Sequence, residues 1–404
     1  MAVTRPGGSQ PEPPAAVRRA VAGGCAAGLA SGWNISNTGA VAQQLAASYG
    51  VGLATVGLFA TALLVTHLLL QMPAGRASDR LGERRVSLAG IALIVCFNAV
   101  ALATPDTALA LAARALTGVG TGISFVSGSA YVRVQGGSPF AQGLFGGVAL
   151  AGGGLALAIV PPVESAIGWR APYATAVLVG LAGALALAAG PGDTARTGAA
   201  RAAHAPAGVF RDARLYRLAV LYAASLGLSI VIGNWVVTLL HRHGGLTKGS
   251  AGLVGALTLT LGIATRPLGG WILRERPERT RIAVAGSLVA GALGTAALAA
   301  ARPTALAVVG AALVGLAAGI PFAPSFTGAA LTRPDAPATA VGFVNSAAAL
   351  VALAATPLVG LTFSGPGGGR LGFGLLAAAW GIALVLLPSA ARLGARGALA
   401  ASEP

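Results

Sequence analysis

Apolar stretches of about 20 residues recur along almost the whole chain, and this recurrence restricts the possible folds more than any other feature. A helix needs about 20 mostly apolar residues to cross the hydrocarbon core of a bilayer. A soluble protein can bury one or two such helices, but not a dozen. We therefore predict an all-α integral membrane protein with twelve transmembrane helices, near residues 20–45, 51–74, 85–104, 107–132, 140–163, 170–190, 215–240, 250–273, 281–301, 304–331, 338–363 and 370–391.

The composition agrees with membrane helices. Apolar residues make up 55% of the chain and charged residues 9%, against roughly 25% charged residues in a soluble domain. Segments of alternating hydrophobicity, typical of outer-membrane barrels, are absent from the sequence. Because lipid supplies no hydrogen-bond partners, the helix remains as the spanning structure. The 60 glycines have two open interpretations, close packing of helices and a compositional bias of the source.

The positions of the basic residues predict the orientation in the membrane. With the amino terminus inside, 20 of the 27 Lys and Arg residues lie on the cytoplasmic side, five lie outside, and Arg114 and Arg266 fall within spans. Cytoplasmic loops carry an excess of Lys and Arg. We therefore expect a multi-pass protein of the cytoplasmic (inner) membrane with both termini in the cytoplasm. The net charge of +16 follows from this bias, and no nucleic-acid partner is expected.

Residues 191–214 form the longest polar interruption and divide the apolar stretches into two sets of six. We predict an amino-terminal six-helix bundle at 19–190, a cytoplasmic linker at 191–214 and a carboxy-terminal bundle at 215–392. Residues 1–18, which contain four prolines, are predicted to be a disordered tail, and residues 393–404 a cytoplasmic tail. No metal or redox spacing occurs in the sequence, so no metal and no cofactor are expected.

The densest cluster of mixed charge lies between the second and third apolar stretches. It reads Gly75-Arg76-Ala77-Ser78-Asp79-Arg80-Leu81-Gly82-Glu83-Arg84-Arg85. This segment resembles the signature loop of the major facilitator superfamily, Gly-x-x-x-Asp-Arg-x-Gly-x-Arg-Arg, at all six defined positions. The resemblance implies two pseudo-symmetric six-helix bundles with the substrate between them near the midplane. It also implies secondary transport by alternating access.

A degraded copy of this loop follows the eighth apolar stretch. The segment Gly270 to Arg279 aligns with Gly75 to Arg84, but Arg274 takes the place of Asp79. Weak repeats of this kind are typical of the two halves of such a transporter. We expect an asymmetric clasp, with the stronger contact contributed by the amino-terminal half.

The resemblance assigns the first loop to a gate on the cytoplasmic side. Asp79 can accept charge-assisted hydrogen bonds from Arg80 or Arg133, or it can face the amino-terminal end of a helix in the other half. A solvated loop is the alternative interpretation, which we favour for Arg84 and Arg85. The candidate gate residues are Gly75, Asp79, Arg80, Gly82, Arg84 and Arg133.

Polar and aromatic residues inside the spans are candidates for the substrate cavity. An ionised arginine inside a bilayer costs several kcal/mol, so Arg114 and Arg266 should face the bundle interior or a watery cavity. Arg114 can instead pair with backbone carbonyls and brace the bundle. In the superfamily the first, fourth, seventh and tenth helices line the cavity. The candidate cavity residues are Asn34, Asn37, His67, Gln71, Arg114, Thr121, Asn234, Trp235, Arg266, Phe322, Phe326 and Asn345. Each alone is equally compatible with an interhelical hydrogen bond or with packing.

Two segments resemble the nitrate/nitrite porter-like or cyanate transporter-like branches, namely Thr265 to Gly270 and Gly168 to Pro172. In the nitrate branch an arginine of the eighth span helps to hold the anion, and Arg266 occupies the matching place. A second arginine of that branch is missing, because Gln71 stands at its position. Nitrate itself is therefore not expected, while another small or organic anion stays open.

The expected function is secondary active transport of a small solute by a monomer embedded in the lipid bilayer. An anionic metabolite is preferred because Arg114 and Arg266 are the only charges deep within the predicted spans. Proton-coupled efflux of hydrophobic compounds is the first alternative, and His67 is then a candidate proton carrier. A non-transporting membrane receptor is an alternative of another class. An enzyme is not expected, since no nucleophile–base pair or phosphate-binding loop occurs in the sequence.

Overall fold

The computed structural model describes residues 15–193 and 207–394. Parts of the predicted tails and linker, residues 1–14, 194–206 and 395–404, lie outside the described residues. Within the two described ranges the long helices fall into twelve consecutive segments, six on each side of the linker, and no strand occurs.

Six segments form the amino-terminal half. Side-chain caps mark two of their starts, because Asp106 accepts a hydrogen bond from the Leu109 N–H and Ser138 accepts one from the Ala141 N–H. The segments are α1 (Ala15–Ser36), α2 (Leu53–Leu81), α3 (Glu83–Ala101), α4 (Thr107–Gly136), α5 (Pro139–Ile167) and α6 (Ala171–Ala188).

Helix α1 differs from the predicted first span at both ends. It begins at Ala15, inside the stretch predicted to be a disordered tail at 1–18, and it ends at Ser36, well short of the predicted end. The side chain of Asn37 accepts a hydrogen bond from the next backbone N–H, and such local bonds compete with the helical pattern. The chain turns there, and a separate short helix, Ala42–Tyr49, follows.

Six segments form the carboxy-terminal half, and three of them change geometry near the middle. A π-helical stretch interrupts α7, a turn at Leu261 divides α8, and a turn before Phe322 divides α10. The segments are α7 (Ala213–Tyr222, Ala223–Leu228 and Ser229–His243), α8 (Lys248–Thr260 and Gly262–Glu275), α9 (Thr280–Ala300), α10 (Thr304–Gly319 and Phe322–Thr332), α11 (Pro337–Leu361) and α12 (Arg370–Val385). A π-helical stretch like that in α7 is frequent at functional sites.

Nine stretches of the described chain are long and apolar enough to cross a membrane. One of them, Pro139–Ala188, runs through both α5 and α6, so the nine stretches cover the ten helices α2 to α11. Helix α12 is a shorter apolar helix of 16 residues. The protein is thus an all-helical, multi-pass membrane protein, and a total of twelve spans stays a prediction for α1 and α12.

The helix contacts of one half repeat in the other. Helix α4 packs against α1, α2 and α3, as α10 packs against α7, α8 and α9. Helix α3 packs against α6 as α9 packs against α12. Between the halves, α2 contacts α11 in the same way as α8 contacts α5. The two six-helix bundles are therefore related by pseudo-symmetry.

The largest apolar core extends through the carboxy-terminal half and continues into the amino-terminal half at one side of the molecule. This side carries the signature loop, Gly75 to Arg85, and its copy, Gly270 to Arg279, and we call it the signature side. Members of this core include Val132, Phe145, Leu218, Phe322 and Phe326. A second core belongs to the amino-terminal half alone and includes Trp33, Tyr49, Phe59, Ala113 and Tyr173. The halves are held together mainly at the signature side.

Glycines allow the two helix pairs between the halves to approach backbone to backbone. A Cβ atom built on Gly75 of α2 would lie 2.5 Å from the carbonyl oxygen of Ala338 in α11. A Cβ atom on Gly270 of α8 would overlap the carbonyl oxygen of Pro139 in α5. These two glycines occupy equivalent places in the signature loop and its copy. Both recur because only a residue without a side chain permits this approach.

We expect Gly75→Ala to separate the halves at the signature side, because its methyl group requires the backbone of α11 to move. The readout is the distance between spin labels at Leu81→Cys and Leu331→Cys, two exposed positions on that side, in a background without the native cysteines. The distribution should become longer and broader.

Gly57→Ala is the matched control on the same helix, since Gly57 is exposed and a Cβ atom there meets nothing within 4 Å. It should leave the label distances unchanged. Identical distance distributions for the two variants would contradict the role of close backbone approach.

Candidate functional site

Asp79, near the end of α2, caps the first turn of α11 in the other half. Its carboxylate accepts hydrogen bonds from the backbone N–H groups of Ala338 and Thr339, both at 3.1 Å, and from the Thr339 hydroxyl at 2.8 Å. Helix α11 lacks a cap of its own, since Ala336 makes no side-chain hydrogen bond. A helix start has unpaired N–H groups and favours negative charge. The buried Asp79, 3% exposed, therefore ties the two halves together.

The equivalent contact between α8 and α5 has no such carboxylate. Arg274 stands at the position of Asp79, and α5 is capped within its own chain segment. The hydroxyl of Ser138 accepts a hydrogen bond from the Ala141 N–H at 3.1 Å. Helix capping across the halves is thus asymmetric at these two related contacts.

The second part of the signature loop contacts the start of the linker. The Asp193 carboxylate accepts a hydrogen bond from the backbone N–H of Arg84 at 2.7 Å, and a Cβ atom on Gly82 would lie 2.5 Å from the Asp193 carboxyl carbon. The Arg84 guanidinium donates to two carbonyl oxygens in the last turn of α6. Arg84 is thus half-buried and bonded to α6, whereas Arg85, for which a solvated loop was also expected, is exposed. Sequence reasoning overlooked Asp193, because nothing marks it as a cap for a helix that starts 110 positions earlier.

The remaining candidate gate residues lie around Asp79. Arg80 is exposed at the end of α2. Arg133 of α4 lies within electrostatic range of Asp79. Its Nε and Nη2 atoms have no hydrogen-bond partner among the residues that the structure describes. The hydrogen bonds of Asp79 to the start of α11 correspond to one of the alternatives stated for it, a contact with a helix start in the other half.

Arg114 belongs to a closed polar network within the amino-terminal half. Its guanidinium donates to the carbonyl oxygen of Asn34 at 2.6 Å, to the side-chain oxygen of Asn37 at 3.3 Å and to the carbonyl oxygen of Phe59 at 3.4 Å. The Asn34 carbonyl lies in the last turn of α1, where carbonyls lack helical partners. These contacts correspond to the bracing interpretation of Arg114.

Further bonds extend this network to α3 and α6. The amide nitrogen of Asn98 donates to the side-chain oxygen of Asn34 at 2.8 Å, and that of Asn37 donates to the carbonyl oxygen of Pro172 at 2.8 Å. Three candidate cavity residues, Asn34, Asn37 and Arg114, are thus at most 1% exposed and are bonded inside one half. Sequence reasoning overlooked Asn98, although a lone Asn in the third apolar stretch was a visible signal.

Four other candidate cavity residues make contacts in two separate places. The side-chain oxygen of Gln71 accepts a hydrogen bond from the Asn345 amide at 2.8 Å, which extends the α2–α11 contact between the halves. Asn234 and Trp235 donate to the hydroxyl and the carbonyl oxygen of Thr356, at 3.3 and 2.8 Å. The second pair of bonds joins α7 to α11 within the carboxy-terminal half.

Arg266 of α8 lies between the halves, against α5. Its Nη1 donates to the carbonyl oxygen of Gly146 at 2.8 Å. Its guanidinium carbon lies 4.4 Å from the ring centroid of Phe322, a distance typical of a cation–π contact. Within the described chain its Nε and Nη2 have no hydrogen-bond partner, although the side chain is only 1% exposed. A buried donor without a hydrogen-bond partner raises the free energy of the folded state. A hydrogen-bond acceptor placed at this edge of the guanidinium would therefore be stabilising.

The local sequence explains how Arg266 reaches the other half. Pro267 follows it and cannot donate to the carbonyl oxygen of Ile263. That carbonyl oxygen faces α5, where a Cβ atom on Gly147 would lie 2.8 Å from it. A Cβ atom on Gly143 would overlap the backbone of Arg266 itself. The small residues of α5 thus admit α8 at close range.

Aromatic rings from both halves continue from the ring that the guanidinium contacts. The ring centroids of Phe322 and Phe326 lie 4.4 Å apart, and that of Tyr222 lies 5.9 and 5.0 Å from them. Phe125 of α4 lies 6.4 Å from Phe326 and 5.3 Å from Phe145 of α5. Rings from α4, α5, α7 and α10 therefore form one continuous aromatic layer.

Two buried hydroxyl groups belong to Tyr222 and to Ser325, the neighbour of Phe326 in the sequence. Neither the Tyr222 hydroxyl nor the Ser325 hydroxyl has a hydrogen-bond partner in the part of the chain that the structure describes. The Tyr222 hydroxyl lies beside the Arg266 guanidinium and interacts with it electrostatically. We call this group the arginine layer; its members are Phe125, Phe145, Gly146, Tyr222, Arg266, Phe322, Ser325 and Phe326.

His67 and Thr121 lie at the edge of the arginine layer. The His67 ring centroid is 6.3 Å from that of Phe125, and its Nδ1 is 3.0 Å from the Thr121 hydroxyl oxygen. The Thr121 hydroxyl donates to the carbonyl oxygen of Gly118 at 3.0 Å. Because a hydroxyl has one hydrogen, His67 Nδ1–H then donates to Thr121. A neutral, hydrogen-bonding His67 satisfies these contacts.

The two buried arginines lie at different depths. At about 1.5 Å of rise per residue, Arg114 is about 33 Å from the signature-side end of α4, and Arg266 is about 13 Å from that end of α8. Of the candidate cavity residues, the structure brings together Arg266, Phe322 and Phe326, with His67 and Thr121 nearby. Sequence reasoning overlooked Tyr222, Phe125 and Phe145, since isolated aromatic residues in apolar spans carry no distinguishing pattern.

The sequence matches the family model of the Major Facilitator Superfamily over residues 24–357. The chain belongs to this superfamily. Two solved transporter structures have the same fold as this member of the superfamily. The crystal structure of the human organic anion transporter MFSD10 (TETRAN) matches with a TM-score of 0.71, and the match covers 93% of this chain and 100% of that one. The two sequences are 18% identical. A crystal structure of the E. coli fucose:proton symporter FucP is 15% identical, with a TM-score of 0.69 over 93% of this chain and 97% of that one.

No curated protein sequence matches the chain significantly. At the identities of the two structures, the likeness shows the fold alone. The predicted membership of the superfamily and the two pseudo-symmetric bundles are confirmed. The resemblance to the nitrate/nitrite porter or cyanate transporter branches stays a prediction.

We expect Asp79→Ala to weaken the contact between α2 and α11. Hydrogen bonds to a charged group contribute about 1.5–3 kcal/mol each, so the loss should shift the equilibrium toward separated halves at least about tenfold. The distance between labels at Leu81→Cys and Leu331→Cys should lengthen.

Ser138→Ala is the control, because it removes a cap that lies within one half. It should lower the melting temperature through the loss of about 1 kcal/mol and leave the label distance unchanged. A lengthened distance in Ser138→Ala together with an unchanged one in Asp79→Ala would contradict the assigned roles.

Proposed function

We propose that this protein is a secondary active transporter of small organic anions across the cytoplasmic membrane, working by alternating access. One observation carries the proposal: Arg266 is buried between the halves with two donors unpaired. An anion would supply both the missing hydrogen-bond partner and the opposite charge in a region of low dielectric. Arg114 cannot serve in this way, since its donors already bind acceptors at the end of α1, at Asn37 and in α2.

The signature side is, in this proposal, the cytoplasmic side, with both termini in the cytoplasm. The distribution of Lys and Arg supports this orientation, with 20 predicted on this side and five on the other. Close contacts of α2 with α11 and of α5 with α8 lie on this side. The described conformation is then closed toward the cytoplasm.

Opening toward the cytoplasm requires both helix pairs to separate. The Asp79 cap of α11 and the Gln71–Asn345 bond would break on one flank. On the other flank the bond from Arg266 to the Gly146 carbonyl would break. Because Arg266 takes part in this contact, an anion bound to it would replace a partner that opening removes. Substrate binding and the separation of the halves are coupled through the same guanidinium.

The second candidate function is proton-coupled efflux of hydrophobic compounds, which the continuous aromatic layer favours. His67 would then carry the proton. Uptake of lipophilic cations instead of anions, driven by a proton gradient and lost in His67→Gln, would establish this function. A receptor that does not transport would show no counterflow of any solute.

We expect purified protein in liposomes to catalyse counterflow of organic anions and to be stabilised by them in thermal-shift measurements. Arg266→Gln should abolish both effects, since it removes the charge and the unpaired donors. The test uses anions, amino acids, sugars and lipophilic cations at two pH values.

Arg114→Gln serves as the contrasting variant. It should lower the melting temperature, because the carbonyl oxygens of Asn34 and Phe59 lose their donors, while the folded fraction keeps its response to anions. Anion binding that survives in Arg266→Gln but disappears in folded Arg114→Gln would move the site to Arg114 and contradict the proposal.

A further inference from the structure

We infer that the substrate is an aromatic monocarboxylate, held edge-on by Arg266 with its ring in the aromatic layer. The inference rests on the proposed function and adds the class of anion that the site accepts. Three features of the arginine layer lead to it: the edge of the guanidinium that is left unpaired, the number of charges, and the rings around them.

The unpaired edge of Arg266 matches a carboxylate. A guanidinium has five N–H donors in a fixed planar fork. Nη1 is occupied by the Gly146 carbonyl oxygen, and one face of the plane lies over the Phe322 ring. The unpaired atoms, Nε and Nη2, form the edge that offers two parallel N–H bonds. A carboxylate accepts both at once, which gives the strongest type of charge-assisted pair.

The charge of the layer matches a single negative charge. Arg266 is the one arginine that the described contacts place among these rings. Arg114 is bonded elsewhere, and Arg133 lies near Asp79 toward the signature side. The titratable side chains that face Arg266 or its neighbouring rings are Tyr222 and His67. A dicarboxylate or a phosphate dianion would leave a buried charge unpaired, at high cost.

The rest of the layer matches a flat apolar body. Among Phe322, Phe326, Tyr222, Phe125 and Phe145, neighbouring rings have centroid distances of 4.4–6.4 Å. Aromatic rings prefer offset-stacked or edge-to-face neighbours at such distances. A fully hydrated inorganic anion would lose its water shell against these rings and regain only two donors. An aromatic ring would instead bury its apolar surface there.

Gly146 keeps this arrangement open. A Cβ atom on Gly146 would lie 2.5 Å from the Phe322 Cζ atom, so a side chain would displace the ring from beneath the guanidinium. The same residue supplies the carbonyl oxygen that orients Nη1. Gly146 is therefore a positioning residue for both the fork and the ring.

The inference is tested with benzoate and phenylacetate as probes, compared with acetate, nitrate, phthalate and the neutral isostere benzamide. Purified full-length protein is used for thermal-shift titration, and proteoliposomes for counterflow of labelled benzoate. We expect benzoate and phenylacetate to bind and exchange, with apparent affinities at least about tenfold above those of acetate, nitrate and phthalate, which corresponds to about 1.4 kcal/mol. Benzamide should not compete.

Variants of Arg266 and its neighbours distinguish the effect of the planar guanidinium group from the effect of its positive charge. Arg266→Lys keeps the positive charge but removes the planar fork, so benzoate affinity should fall at least about tenfold. Phe322→Leu should reduce the preference for benzoate over acetate while retaining anion binding. Arg281→Gln, an exposed arginine at the start of α9, should match the unmodified protein. Melting temperatures and size-exclusion profiles establish that each variant is folded.

The outcomes distinguish this inference from the proposed function. Exchange of acetate or nitrate without exchange of benzoate would overturn the substrate class and leave anion transport standing. Neither binding nor exchange of any anion by the unmodified protein would overturn both. Full benzoate affinity in folded Arg266→Lys would overturn the edge-on fork. Selective benzoate exchange that is lost in Arg266→Lys and kept in Arg281→Gln supports the inference.

Discussion

Close approach of the two halves at the signature side is the constraint on which the other contacts depend. Glycines in α2 and α8 bring backbones together where a methyl group would not fit, as at Gly75 and Gly270. Only at that range does Asp79 reach the first turn of α11, and only there does Arg266 reach a carbonyl oxygen of α5. The polar bonds supplement a large apolar core that spans both halves.

The two polar contacts between the halves, made by Asp79 and Arg266, differ in how many of their hydrogen-bonding atoms have partners. The Asp79 carboxylate uses both oxygen atoms on the start of α11. The Arg266 guanidinium uses one nitrogen on α5 and leaves two donors unpaired in the interior. A saturated contact stabilises one conformation, whereas an unsaturated buried cation favours whatever anion completes it. This difference is the reason why the gate and the substrate site are proposed at different helix pairs.

Prediction from the sequence succeeded where the type and spacing of the residues were enough to indicate their role. It failed where the role of a residue depends on a contact with a residue far away in the sequence. Residues 75–85 identified the superfamily, and Asp79 was expected to face a helix start as one of three alternatives. Arg114 and Arg266 looked alike as arginines inside apolar spans. Their partners separate them, since Arg114 binds carbonyl oxygens of its own half and Arg266 faces the other half. The end of α1 was misplaced because the local bond of Asn37 outweighs the apolar pattern.

The sequence by itself determined that the chain is a helical membrane protein of two similar halves. Lipid leaves an apolar stretch of 20 residues few alternatives to a helix, and the charged loop repeats in both halves. Only the tertiary structure decided which polar residues form hydrogen bonds between the helices and which keep donors without a partner. Hydrogen-bond capacity belongs to each residue, but its satisfaction depends on groups far away in sequence. Gly146, 120 positions before Arg266, binds one nitrogen of that side chain and leaves two donors unpaired.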